Sequence, residues 1–204
     1  MSSEGAKKII AKVSSQDLDQ WSVREHIHQE LTSWLFFRKL AVDCSRSNIS
    51  LLGFARLWER SAAECLADLK WLEKYLVSRG GRSKPTQIEA TTSEWPDNPV
   101  EPVSPCKDAL FVKKSILEDL HRLCSLADKS GDVALASAIQ SRFMHKETTH
   151  VKNLAGLLQQ VVRASKQPGL GLYLLDQELR HNDGVVPWDS VNDPSQQHDD
   201  TLEV

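Results

Sequence analysis

The chain has 204 residues, 40% of them hydrophobic and 26% charged, with a formal net charge of −3. That length suffices for one domain with a substantial core, and the composition is that of an ordinary globular protein. The charge balance gives no case for nucleic acid or an anionic membrane as partner, no apolar run reaches the roughly 20 residues that span a bilayer, and residues 1–15 lack a secretory apolar segment, so a cytoplasmic protein is expected.

Residues 1–15 mix Glu4 with Lys7, Lys8 and Lys12 and read as an N-terminal extension. Proline placement organises the rest of the chain. None occurs before Pro85 or between Lys107 and Gln167, while Pro85, Pro96, Pro99, Pro102 and Pro105 crowd one stretch. A proline costs a helix interior about 3 kcal/mol, so the clean stretches can be helical and the crowded one cannot. Helix A is predicted over 16–43, with Val23, Ile27, Trp34 and Phe37 at helical spacing. Helix B comes next over 50–78, with Trp58, Ala62, Cys65, Leu69, Leu72 and Leu76 on one face and Gly80-Gly81 as its stop. Helix C is predicted over 106–129, with Leu110, Leu117, Leu120 and Cys124 in line. Ser130-Gly131-Asp132 breaks it, and Asp132 is the expected N-cap of helix D over 133–165, which carries Leu135, Ile139, Phe143, Leu154, Leu158 and Val161. Pro168-Gly169 ends helix D, and 170–180 is a short fifth helix. Residues 181–204 are acidic, without Lys or Arg, and are expected to form a disordered tail.

Rods of about 35–50 Å with two tight turns and one long connection describe an all-α, antiparallel four-helix bundle with a single crossover, occupying 16–180. Cys44, Cys65, Cys106 and Cys124 are widely spaced, three of them inside apolar patterns, and are expected to be buried thiols.

The stripes are interrupted by polar residues. Glu30 lies on the line Val23, Ile27, Trp34, Phe37; Glu147 and His150 lie on the line Phe143, Leu154, Leu158; Asp68 adjoins the stripe through Cys65 and Leu72, with Glu64 on its flank. Buried charges need a partner, a proton or a metal. Glu147-Thr148-Thr149-His150 puts a carboxylate and an imidazole on one helix face. Two roles fit it: half of the ligand set of a carboxylate-bridged di-iron bundle, or a buried Glu–His pair.

Several motifs together resemble the ferritin family. They are Phe54-Ala55-Arg56 opening helix B, Ser78-Arg79-Gly80-Gly81-Arg82 closing it, Trp95 in the following loop, Leu120-His121-Arg122-Leu123, and Gly171-Leu172-Tyr173-Leu174-Leu175-Asp176 in the fifth helix. The resemblance implies a hollow shell of twenty-four subunits that stores ferric mineral, with Fe(II) oxidised by oxygen inside each catalytic bundle. Carried over residue by residue, it gives an altered site. The first glutamate matches Glu30 and another matches Glu64, but the bridging glutamate falls on Cys65 and its histidine partner on Asp68. The tyrosine of helix A falls on Phe37 and the helix C glutamate on Leu110, while the helix D glutamine matches Glu147. His150 resembles a histidine of bacterial haem-containing relatives. Glu30, Glu64, Asp68, Glu147 and His150 are then the candidate ligands for iron, enough for one ion near Cys65 but not for the normal pair. The acidic residues of the three-fold pores fall on Ser137 and Gln140, and of the mineral-seeding positions Glu64 survives beside Ala67 and Lys70. The expectation is an iron-storage subunit with little or no ferroxidase activity, in a homo-oligomer or mixed with catalytic ferritin chains. The alternatives are a non-mineralising structural or interaction cage, or a cage with a redesigned single-metal site.

Overall fold

The computed structural model describes residues 3–83, 87–88, 91, 93–166 and 169–186, with side chains from Trp21 onward. Helices α1 (Ser3–Cys44), α2 (Leu52–Ser78) and α3 (Val103–Ser130) are followed by a rod in three parts: α4 (Val133–Ala138), a π-helical segment (Ile139–Met144) and α5 (His145–Ala164). Helix α6 (Leu170–His181) closes the described chain. α1 packs on α2 and α3, α3 on α5, and α6 on α2 and α5, which is the expected all-α bundle with one long crossover and a short last helix. Among the described residues no helix is long and apolar enough to cross a membrane.

Three larger features differ from the sequence reading, besides α3 starting at Val103 with Pro105 in its first turn. α1 begins at Ser3 rather than at 16, because Ala6, Lys7, Lys8, Ile9 and Ile10 form helix readily and no proline intervenes. The chain after α6 folds back along α2 as far as residue 186: Val186 is buried, and Arg56 holds both the Arg180 carbonyl at 2.9 Å and Asp183 at 2.5 Å. The remainder of the expected tail lies outside the described residues. The helix D rod contains a π-helical turn. Leu135, Ile139, Phe143 and Glu147 are all buried at a strict spacing of four. At 3.6 residues per turn each such step drifts about 40° around the axis. The looser i→i+5 winding of 139–144 absorbs that drift and keeps all four facing inward.

The helix ends are tied to one another. Gly80 and Gly131 both take φ +76, a conformation that suits a residue without Cβ, as the chain leaves α2 and α3. Asp132 caps α4 by accepting from the Leu135 N–H at 3.1 Å, and its other oxygen takes the Arg79 guanidinium at 2.6 Å. α2 has no local side-chain cap. Instead Asp176 of α6 accepts from the Gly53 and Phe54 N–H groups at 2.8 and 3.1 Å. The approach is so close that a Cβ on Gly53 would sit 2.0 Å from the Asp176 carbonyl oxygen. Trp95 is buried edge-on against Phe54, anchoring the long connection.

The core falls into two apolar clusters. One, at the α6 end, gathers Phe37, Leu40, Phe54, Trp58, Ala109, Leu157 and Leu179. The other gathers Val23, Leu72, Ile116, Leu120, Leu135, Ile139 and Phe143. All four cysteines are free and buried.

Candidate functional site

Between the two clusters lies a belt of polar side chains, most of them buried, to which every helix of the bundle contributes. α1 contributes His26 and Glu30, one turn apart on its inner face; α2 contributes Cys65 and Asp68; α3 contributes Lys113; the last rod contributes the buried Glu147 and, at the margin, the half-buried Lys146 and His150. Lys113 is the group that the sequence reading missed. It is 2% exposed, and its Nζ lies 3.1 and 3.2 Å from the two oxygens of Glu147, 3.9 Å from the Cys65 sulfur and 5.7 Å from the centre of the Phe37 ring. Burial alone would push the amine toward its neutral form. The Glu147 carboxylate, with Cys65, Glu30 and Glu64 behind it, wins and holds Lys113 well above the ordinary lysine range. Conversely, burial would raise Glu147, but Lys113 and His150 hold it well below the usual carboxylate range.

Lys113 was legible in principle. The buried positions of α3 include Ala109, Lys113, Ile116, Leu120, Leu123, Cys124 and Ala127, a regular helical stripe with a lysine in it. Following the large apolar residues selected Leu120 and Cys124, which are buried, but also Leu110 and Leu117, each one position off the buried stripe. Leu110 is only partly buried, against the edge of the α6-end cluster. The α3 residue at the centre of the bundle is therefore Lys113, not Leu110.

The five candidate ligands are not gathered into one set. Glu147, His150 and Glu64 form a chain: His150 Nδ1 lies 3.1 Å from Glu147 and its Nε2 3.3 Å from Glu64, which also faces Arg60 at 3.6 Å. Asp68 is ion-paired with Lys146; burial raises its pKa against the pull of that ammonium. Glu30 stands 3.6 Å from His26, and neither side chain makes a hydrogen bond among the described residues. Burial pushes Glu30 up to about 8 and His26 down to about 4, so both are uncharged at neutral pH. The belt proper thus balances two cations, Lys113 and Lys146, against two anions, Glu147 and Asp68. Cys65 and Phe37 are fully buried beside them, the thiol raised far from ionisation by burial.

This donor set does not fit iron. Each ionised carboxylate already faces an ammonium or imidazole, and no group of three or more His, Cys, Asp or Glu side chains among the described residues could hold a metal ion. Of the expected ligands Glu30, Glu64, Asp68, Glu147 and His150, the structure joins Glu147, His150 and Glu64 in a chain and pairs Glu147 and Asp68 with two lysines that reach the space between the helices. Ser137 is exposed on α4, and the Gln140 amide reaches the Cys124 sulfur at 3.4 Å; neither carries charge.

Comparison with known proteins agrees with the bundle. Residues 22–164 match the family model of the ferritin-like domain. Chloroplastic ferritin-2 of Vigna unguiculata is 28% identical over 176 residues, 86% of this chain and 70% of that protein. Chloroplastic ferritin-3 of Arabidopsis thaliana is 31% identical over 160 residues, 78% of this chain and 61% of that protein. Soma ferritin of Lymnaea stagnalis is 28% identical over 160 residues, covering 76% and 87% respectively. With its crossover bundle, its short last helix capping α2, the match of residues 22–164 and these relatives, the chain belongs to the ferritin family.

Proposed function

We propose that this chain is a subunit of an iron-storing, multi-subunit ferritin shell and that its own bundle does not oxidise Fe(II). The observation that carries this reading is the Lys113 ammonium locked onto Glu147 at 3.1 Å in the centre of the belt. That ammonium repels a dication by roughly 8 kcal/mol at a separation of about 4 Å and an effective dielectric of about 20, which cancels the attraction that Glu147 would otherwise supply. It also removes Glu147 as an oxygen donor. The subunit then contributes wall, while oxidation falls to catalytic chains in a mixed shell or to slow chemistry at the mineral in a homopolymer.

Aerobic addition of Fe(II) to the purified protein tests this. The expected outcome is oxidation no faster than in buffer alone, with ferric product still retained by the particle. A saturating, protein-dependent oxidation at one or two irons per chain overturns the reading. The uncharged Ser137 and Gln140 favour a second reading, a structural cage without mineral. Free precipitate beside an iron-free particle selects it.

A further inference from the structure

A cleft of about 550 Å³ opens between α1 and α3, on a different face from the pocket that borders Glu64 and His150. Its size is within the roughly 300–1,000 Å³ typical of small-molecule sites. Two aromatic rings stand at its mouth, Trp21 and Phe111, 57% and 73% exposed. So do Glu25, Asp119 and Arg122, and Arg122 is already ion-paired with Asp119. Among the described residues the rim therefore carries one formal negative charge in excess, with its guanidinium committed. On the floor is the His26 ring, 2% exposed, with both nitrogens lacking a hydrogen-bond partner among the described residues. A buried imidazole in that state is costly, and a donor arriving through the cleft would relieve it. Beside it, Gln29 donates to the Ser115 hydroxyl at 3.0 Å, leaving the Gln29 amide oxygen as a further acceptor.

We propose that this cleft binds a small organic amine, its ammonium held by Glu25 and the His26 ring and its apolar body laid against Trp21 and Phe111. Each part of the lining selects against the other charge classes. A carboxylate or phosphate would meet Glu25 and Asp119, and among the described lining residues no unpaired Lys or Arg would receive it. A neutral ligand of the same size would forgo both the carboxylate and the attraction of a cation to the aromatic faces.

Three probes of matched size separate the classes: phenethylamine, 2-phenylethanol and 3-phenylpropionate, titrated against the full-length protein by calorimetry and saturation-transfer NMR. The amine is expected to bind saturably, more tightly than the alcohol by about tenfold, and the carboxylate not at all. Raising ionic strength should weaken it. Trp21→Ala and Glu25→Gln alter exposed side chains and should each weaken the amine severalfold while leaving the alcohol nearly unchanged for Glu25→Gln. Imidazole nitrogen resonances assigned through His26→Gln should shift on adding the amine. Equal binding of the three probes, tighter binding of the alcohol or carboxylate, or amine binding unaltered by both exposed substitutions overturns the proposal.

Discussion

The two places where this bundle buries carboxylates solve the same problem differently. At the α6 end, Asp176 points its oxygen at the N–H groups of Gly53 and Phe54, which have no partner within α2. Burial raises its pKa, and those two N–H groups draw it back. In the belt, Glu147 and Asp68 rely on the ammonium groups of Lys113 and Lys146. Backbone donors are fixed by the helix itself, so the Asp176 cap survives changes elsewhere. A side-chain cation can be removed by one substitution, and the anion it leaves is then buried alone. The belt is the more fragile arrangement.

The largest effect should come from Lys113→Ala, which strands Glu147 in the interior. A loss of roughly 3–5 kcal/mol in chemical denaturation is expected, whereas Lys113→Met combined with Glu147→Leu should restore wild-type stability or exceed it. If the double variant is as unstable as the single one, the cost lies in packing and the contrast with the α6 end is lost. Gly53→Ala comes next. Its Cβ would meet the Asp176 carbonyl oxygen, and forcing α6 away should cost about 3 kcal/mol and lower Tm.

The belt should also show a pH dependence. Glu30 ionises near 4.5 when unfolded and about 8 when folded, so the folded chain holds more protons across that interval and loses stability as pH rises. His26 works the other way, its pKa falling from 6.5 to about 4, so it adds stability as pH rises to 6.5. The two slopes oppose each other up to pH 6.5. Above it the Glu30 slope stands alone, giving a decline of about 2 kcal/mol by pH 8 that Glu30→Gln should abolish. A profile with the same decline in that variant would remove Glu30 as its source. The smallest effect expected is from Asp176→Ala, about 1 kcal/mol for a lost helix cap, with the first turn of α2 exchanging amide hydrogens faster.

Proline and glycine placement was enough to locate the helices, because both act on the local backbone whatever surrounds it. Asp132 could be read as a cap from its position alone, and it caps α4. Glu30, Asp68 and Glu147 could be seen as buried polar residues, since Glu30 and Glu147 interrupt an apolar stripe on their helices and Asp68 adjoins one. Their partners could not be found that way. Lys113 lies 34 positions from Glu147, and the cap on α2 comes from a residue 123 positions after Gly53. Local periodicity describes one helix face at a time, while an ion pair depends on which faces meet and at what height. Sequence alone determined the rods and which of their residues resist burial. Only the packed bundle decided that Lys113 and Lys146 face the buried carboxylates, because that outcome depends on side chains from separate helices converging within hydrogen-bonding distance.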